Sequence, residues 1–181
     1  MIERERKYRL PALAVSDLRK KLEAEGRWVR VGAEGDVFFD HPNLRLQDED
    51  RRLRLRFRDE GGVQELTYKS RREMHGVDKV RREITAVLVS GPIEELIAEL
   101  GFRRIRKFVK LREVYVLREF EVSLDHLDGA GWFCEIEALT PEADIDTMAY
   151  DLGLRPRQLE PRTYSEIVDE MSTAGEPAPV A

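Results

Sequence analysis

The sequence predicts an α+β domain in which about eight antiparallel strands form a sheet able to close into a barrel, flanked by helices. Three observations lead there. About eight short segments alternate their side chains with a period of two, the periodicity of a strand. Most are joined by short turns, which antiparallel neighbours accept and parallel neighbours do not. In segment after segment one face is apolar and the other charged, so helices can cover the first while the second lines a polar space. Closure would remove the sheet's exposed edges and leave room for one small ligand.

The first strand spans Ile2 to Leu10 and carries Glu3, Glu5 and Lys7 on one face. Its other face, Ile2, Arg4, Arg6, Tyr8 and Leu10, is also half charged, which suits a strand bordering a wet cavity better than half of an ordinary core. Glu3 and Lys7 also stand four residues apart, a spacing that a helical ion pair shares. Pro11 ends the strand. Ser16 can cap a helix running to Glu25, with Leu18 and Leu22 at helical spacing and Gly26 as its stop. Asp36 to Asp40 reads as a strand, followed by a turn at His41-Pro42-Asn43. Arg52 to Arg58 is the cleanest strand: Leu53, Leu55 and Phe57 oppose Arg52, Arg54, Arg56 and Arg58. Gly61-Gly62 composes a hairpin turn into a strand from Val63 to Lys69. Lys79 to Val87 alternates again, with Arg81, Glu83 and Thr85 on one face. Gly91-Pro92 opens a helix whose stripe is Ile93, Leu96, Ile97 and Leu100. Strands follow from Arg104 to Leu117, Phe120 to Asp125 and Trp132 to Leu139, the last two separated by the turn Asp128-Gly129-Ala130-Gly131. Thr140-Pro141-Glu142 caps a helix to Leu152-Gly153, and a final helix runs from Pro161 to Met171. Residues 1–171 therefore read as a single domain, and 172–181 as a disordered tail.

Composition narrows the function. The chain has 181 residues, enough for one domain with a real core, and 37% of them are charged. That share exceeds the usual quarter, and the excess needs a location. A net charge of −5 argues against a nucleic-acid binder held by bulk positive field. The lone cysteine, Cys134, excludes an internal disulfide, fits a reducing compartment, and alternates onto an apolar strand face. No apolar run reaches membrane-spanning length and the chain opens in charged residues, so the expectation is a cytoplasmic protein without membrane contact. His41, His75 and His126 lie near turns without ligand spacing, and His75 sits in an exposed loop from Arg71 to Gly76. Trp28 and Trp132 are expected to pack, and Tyr164 to cover a cavity or anchor the last helix.

The strand faces collect two sets of charges. The acids are Glu3, Glu5, Glu83, Glu121, Asp125, Glu135 and Glu137; the bases are Lys7, Arg54, Arg56, Lys69, Arg81, Lys110 and Arg112. Opposite them lie Leu53, Leu55, Phe57, Leu66, Tyr68, Val109, Leu111, Val122, Leu124 and Ile136, which can pack against helices. Taken singly, an alternating charged pair is usually a solvated face. Recurrence in phase across six or more strands points to a charged cavity instead. Clustered carboxylates without paired Cys or His are hard oxygen ligands for Mg²⁺ or Mn²⁺. Many Arg and Lys at one site suit a polyanion, with Arg forks matched to phosphate oxygens. Both together suit a metal–triphosphate.

The same residues resemble, in order, the motifs of the CYTH or triphosphate tunnel metalloenzyme superfamily. Glu3-x-Glu5-x-Lys7 resembles its ExExK motif, Leu53-Arg54-Leu55-Arg56 its LRxR strand, and Thr67-Tyr68-Lys69 its lysine strand. Arg81-x-Glu83 is similar to its RxE element and Lys110-x-Arg112-x-x-Tyr115 to its KxRxxY strand. Leu124-Asp125-x-Leu127-x-Gly129-x-Gly131-x-Phe133-x-Glu135-Ile136-Glu137 is close to its LDxVxGLGxFxEIE block. That glycine-bearing block, with Arg162-Thr163-Tyr164 ahead of a helix, looks most like the class IV adenylyl cyclase branch. Thr85 stands where an RxExE pattern has its last Glu; Ala130 and Thr163 replace a common Leu and Ser.

The resemblance implies a closed eight-stranded antiparallel barrel forming a tunnel. It implies that Glu3, Glu5, Asp125, Glu135 and Glu137 hold Mg²⁺ or Mn²⁺, and that Lys7, Arg54, Arg56, Lys69, Arg81, Lys110 and Arg112 grip a triphosphate. The general base is unassigned, with Lys7 a candidate. The implied activity is conversion of ATP to cyclic AMP and pyrophosphate. The alternatives are hydrolysis of tripolyphosphate, thiamine triphosphate or a nucleoside triphosphate, and a non-catalytic nucleotide- or polyphosphate-binding module. The expected partner is a small-molecule triphosphate, with no nucleic acid or membrane, and a homodimer is left open.

Overall fold

A computed structural model describes residues 1–58, 64–88 and 91–174. Among them are nine strands: β1 (Ile2–Leu10), β2 (Arg27–Asp40), β3 (Arg52–Arg58), β4 (Gln64–Lys69), β5 (Glu73–His75), β6 (Asp78–Leu88), β7 (Arg103–Leu117), β8 (Phe120–Leu127) and β9 (Gly131–Ala138). Four α-helices accompany them: α1 (Ala12–Glu25), α2 (Ile93–Glu99), α3 (Ile145–Asp151) and α4 (Tyr164–Ala174). The sheet order is β1-β9-β8-β7-β2-β3-β4-β6, and a β1–β6 pairing joins its ends. The result is the closed eight-stranded antiparallel barrel that the alternation allows and the family resemblance implies. The ninth strand, β5, adds to β6 as a short exposed hairpin where the sequence suggested only a loop.

The barrel inverts the usual layering, and the period-2 pattern explains how. Outward residues of β1, β8 and β9, among them Leu10, Val122, Leu124, Cys134 and Ile136, pack with Val15, Leu18 and Leu22 of α1 and Ile145 and Met148 of α3. Leu22, Leu124, Cys134 and Ile136 are wholly buried, each large aliphatic contributing about 1.5–3 kcal/mol. Burial also pushes the Cys134 thiol well above its ordinary range, consistent with a core residue and not a nucleophile. A second cluster lies under α4 (Phe38, Phe108, Leu127, Phe133, Tyr164, Ile167), and a third joins α2 to Val37, Phe39 and Leu55. Most of the hydrophobic core thus surrounds the barrel wall, and the interior is left largely to charge, with Phe38 and Phe108 turned inward.

Several boundaries differ from the sequence reading. The strand expected over Asp36–Asp40 starts at Arg27, because β2 pairs with β7 along nearly its whole length. Helix α1 begins at Ala12 with Pro11 before it and no side-chain cap, so Ser16 lies inside it. Helix α3 begins after Asp144, whose carboxylate accepts from the Asp146 and Thr147 amides at 2.9 and 3.2 Å, not at Thr140-Pro141. In α2 only Ile97 is buried; Leu96 and Leu100 are exposed. Helices α1 and α2 cover only parts of the outer face of β2 and β7, and Val109, Leu111 and Trp28 are exposed as well. Helix α4 continues three residues beyond Met171 into the segment expected to be tail; the rest of that tail, and the Gly61-Gly62 turn with Val63, lie outside the described residues. Among the described residues no helix is long and apolar enough to cross a membrane.

Candidate functional site

The barrel encloses a cavity of about 330 Å³. Its wall is built from inward positions, every second residue of the strands. Glu3 and Lys7 face it and are buried, 8% and 2% exposed, so the opening strand does turn a charged face inward. All seven expected phosphate ligands line it: Lys7, Arg54, Arg56, Lys69, Arg81, Lys110 and Arg112. Of the five expected metal ligands, Glu3, Glu5, Glu135 and Glu137 line it.

Asp125 does not join them. It is fully buried behind the lining, where Arg112 Nε donates to it at 2.6 Å, Lys110 Nζ at 3.3 Å and the Tyr164 hydroxyl at 2.5 Å. Burial opposes its ionisation, but Arg112 and Lys110 outweigh that and keep it ionised. Its place is that of an anchor for two cavity-lining cations. Tyr164 is accordingly both cavity lining and anchor, its ring lying 3.6 Å from Lys7 Nζ. Lys7 also donates to the Arg162 carbonyl at 3.1 Å and sits 3.3 Å from Glu135, contacts that suit a fixed ammonium better than a base.

The acids form a row that strand register makes legible. Glu5 pairs with Glu137 across β1 and β9, and Glu137 with Glu121 across β9 and β8. Like charges directly opposite on a sheet repel. Burial, then Glu3, Glu121 and Glu5, push Glu137 up to about 8. Glu5 is raised by burial, Glu135 and Glu3. Glu3 is raised chiefly by burial, against the pull of Lys69 at 3.2 Å. Glu135 goes the other way: Lys7, Arg112 and Lys110 overcome its burial and hold it well below the usual carboxylate range.

The opposite wall is dominated by guanidinium groups. Arg54 Nε on this wall, and Arg81 Nε on β6 cross-strand from Glu3, are buried without a hydrogen-bond partner, with their nearest carboxylates at 3.9 Å (Asp36) and 3.8 Å (Glu3). Two acids of this wall escaped the sequence reading. Arg56 grips Asp36 with two hydrogen bonds of 2.7 and 2.8 Å. Glu34, wholly buried, lies within 3.1–3.7 Å of Arg56, Arg58, Lys110 and Arg112. Despite burial these cations hold both acids far below the usual range. Glu34-x-Asp36 has the same two-residue spacing as the recognised pairs, but Gly32 and Gly35 beside it depress strand propensity and hid the strand. Burial and Arg112 bring Lys110 down to about 8; burial and Lys7 do the same to Lys79, which stands behind Glu5 at 3.9 Å.

A family model for the CYTH domain matches residues 1–164. The chain belongs to the CYTH family. An adenylate cyclase CyaB of Aeromonas hydrophila is 30% identical over 148 residues, covering 77% of this chain and 74% of that one. A solved structure from Pyrococcus horikoshii OT3 is 27% identical, with a TM-score of 0.76 over 93% of this chain and 99% of that one. A Hippeastrum protein whose dominant activity is that of a triphosphatase shares the fold at 19% identity and a TM-score of 0.69, over 98% of each chain.

The CYTH site suits a hard divalent cation by its chemistry. Its free donors are carboxylate oxygens, and burial and mutual repulsion raise Glu3, Glu5 and Glu137, a strain that a bound cation would relieve. Among the described residues no three such side chains already converge as a closed cage.

Proposed function

We propose that this CYTH chain is a divalent-cation-dependent enzyme acting on a triphosphate, with cyclisation of ATP to cyclic AMP and pyrophosphate as its reaction. The observation that supports it most is the presence in one cavity of a row of mutually repelling carboxylates, Glu5, Glu137 and Glu121, and of unpartnered guanidinium N–H groups, on Arg54 across the barrel and on Arg81 beside Glu3. The first is short of positive charge and the second of acceptor oxygens; a cation–triphosphate supplies both. The naming of the Aeromonas relative favours the cyclase among triphosphate reactions.

Glu3, Glu5, Glu135 and Glu137 would hold Mg²⁺ or Mn²⁺, which polarises phosphoryl oxygens and offsets their charge. The chain's own cations do the rest. Arg54, Arg56 and Arg81 fix the phosphate chain along the wall, so the attacking oxygen meets phosphorus in line. Lys110 and Arg112, themselves fixed by Asp125, face the charge that develops on departing pyrophosphate. Glu34 and Asp36 hold the arginine forks open before substrate arrives, lowering the reorganisation needed. The ribose 3′-hydroxyl oxygen forms the new bond to the α-phosphorus as its proton leaves to water, and the bond from the α-phosphorus to the bridging oxygen breaks, that oxygen departing with pyrophosphate. Hydrolysis of a triphosphate is the second reading, favoured by a cavity lined mostly by charged side chains, which suit phosphate or cation.

Product analysis separates the readings. ATP, tripolyphosphate and thiamine triphosphate are incubated with Mg²⁺ or Mn²⁺. Cyclic AMP with pyrophosphate is the expected outcome, and orthophosphate would mark a hydrolase. Absence of turnover with every substrate and both cations would sink the enzyme reading and leave a binding module.

A further inference from the structure

The inward alternation of charge stops at one end of the cavity. On β2 the series Glu34, Asp36 continues to Phe38, and on β7 Lys110 and Arg112 are preceded by Phe108. Both phenylalanines line the cavity, their rings stacked 5.7 Å apart at 26°. Ser165 reaches the same cavity from the first turn of α4; it is 3% exposed and its hydroxyl oxygen has no hydrogen-bond partner. A buried hydroxyl left unpaired costs free energy, which a polar atom of a bound molecule would recover. Neither phenylalanine can serve a phosphate or a cation. Yet Phe38 stands directly opposite Arg54, and Phe108 opposite Asp36, the partner of Arg56. Two flat apolar rings and one free hydroxyl therefore line the same cavity as the arginines that face the phosphate chain.

We infer that Phe38, Phe108 and Ser165 form a subsite for the planar, uncharged heterocycle of an organic triphosphate, and that the chain thereby selects nucleoside-type triphosphates over inorganic tripolyphosphate. The inference rests on the triphosphate reading of the tunnel. The rings supply a face for stacking, which tolerates different bases, and the Ser165 hydroxyl supplies one directional hydrogen bond. Phe38 and Phe108 also pack with Leu127, Phe133 and Ile167, and packing alone would make their effect one on stability, not on choice of ligand.

Calorimetric titration of the full chain with ATP and with tripolyphosphate, each with Mg²⁺, tells these apart. Phe38→Leu keeps an apolar side chain and removes the flat ring; Ser165→Ala removes only the hydroxyl. The expected result is ATP affinity reduced about tenfold in Phe38→Leu and several-fold in Ser165→Ala, with tripolyphosphate affinity unchanged. If Phe38→Leu does not fold, Ser165→Ala carries the comparison. The inference is overturned if both ligands weaken together, if neither changes, or if the wild type takes tripolyphosphate and not ATP. A wild type that binds neither ligand refutes the triphosphate reading itself.

Discussion

Three glutamates face one another across adjacent strands, and Glu137 stands in the middle of the row. Its carboxyl, pushed up to about 8 from an ordinary 4.5, binds a proton in the folded chain that the unfolded chain has already released at neutral pH. The sign follows: this stabilising difference is whole below pH ~4.5 and is lost as pH rises towards 8. In Glu137→Gln that loss should vanish, so the variant gains on the wild type between pH 5 and 8 by roughly a few kcal/mol in chelator. Denaturant unfolding across that range checks it, and Mg²⁺ should narrow the gap by stabilising the ionised wild type. Asp125 behaves oppositely. Asp125→Asn removes the carboxylate that Arg112 and Lys110 share, leaving Glu34 and Glu135 to offset both buried cations, and should cost about 3–5 kcal/mol at neutral pH. Equal stability of Asp125→Asn and wild type would contradict its role as an anchor. The motif resemblance set Asp125 beside Glu135 and Glu137 because all three alternate inward; only the side-chain contacts distinguish a residue in the cavity from one tied up behind it.

At the scale of elements, the strands were legible and the helix ends were not. Arg52–Arg58 and the β7–β9 segments declare themselves by alternation, since a one-residue slip would move every charge to the apolar side. β2 was half hidden: Gly32, Gly35 and Glu34 look like loop, and what makes them strand is the partner β7 and the ring of cations around Glu34. No local pattern carries that information. The start of α3 was misplaced because Thr140-Pro141-Glu142 has the composition of a helix start, whereas Asp144 actually receives the free amides. Asp144→Ala should therefore cost about 1 kcal/mol and Thr140→Ala close to nothing, read from paired unfolding curves. In α1, Leu22→Ala should cost about 2–5 kcal/mol through the cavity it leaves. Because α1 packs on the outside of the wall, the affinity of the surviving fold for tripolyphosphate should stay the same. A parallel loss of affinity would mean that core and tunnel are not separate layers.

At the scale of the molecule, closing the sheet is what turns a set of alternating faces into a site. An open sheet with these residues would present them to water, where each ion pair contributes little. Closure sets Glu3 against Arg81 and Glu5 against Lys79 by joining β1 to β6, and shields the whole set. The same apolar outer faces that build the core therefore also dictate a charged interior. That interior is close to balanced as a whole and unbalanced between its halves, with acids crowded on β1, β8 and β9 and arginines on β3. Two ligands of opposite charge are needed to complete it, and each should favour the other by relieving the opposite excess. Calorimetric titration of Mn²⁺ into the full chain, with and without saturating tripolyphosphate, tests this most directly. The account predicts that tripolyphosphate tightens Mn²⁺ binding at the protein by about tenfold or more, and that Glu137→Gln abolishes the gain. Mn²⁺ affinity that is the same with and without tripolyphosphate, after correction for the free complex in solution, would contradict it.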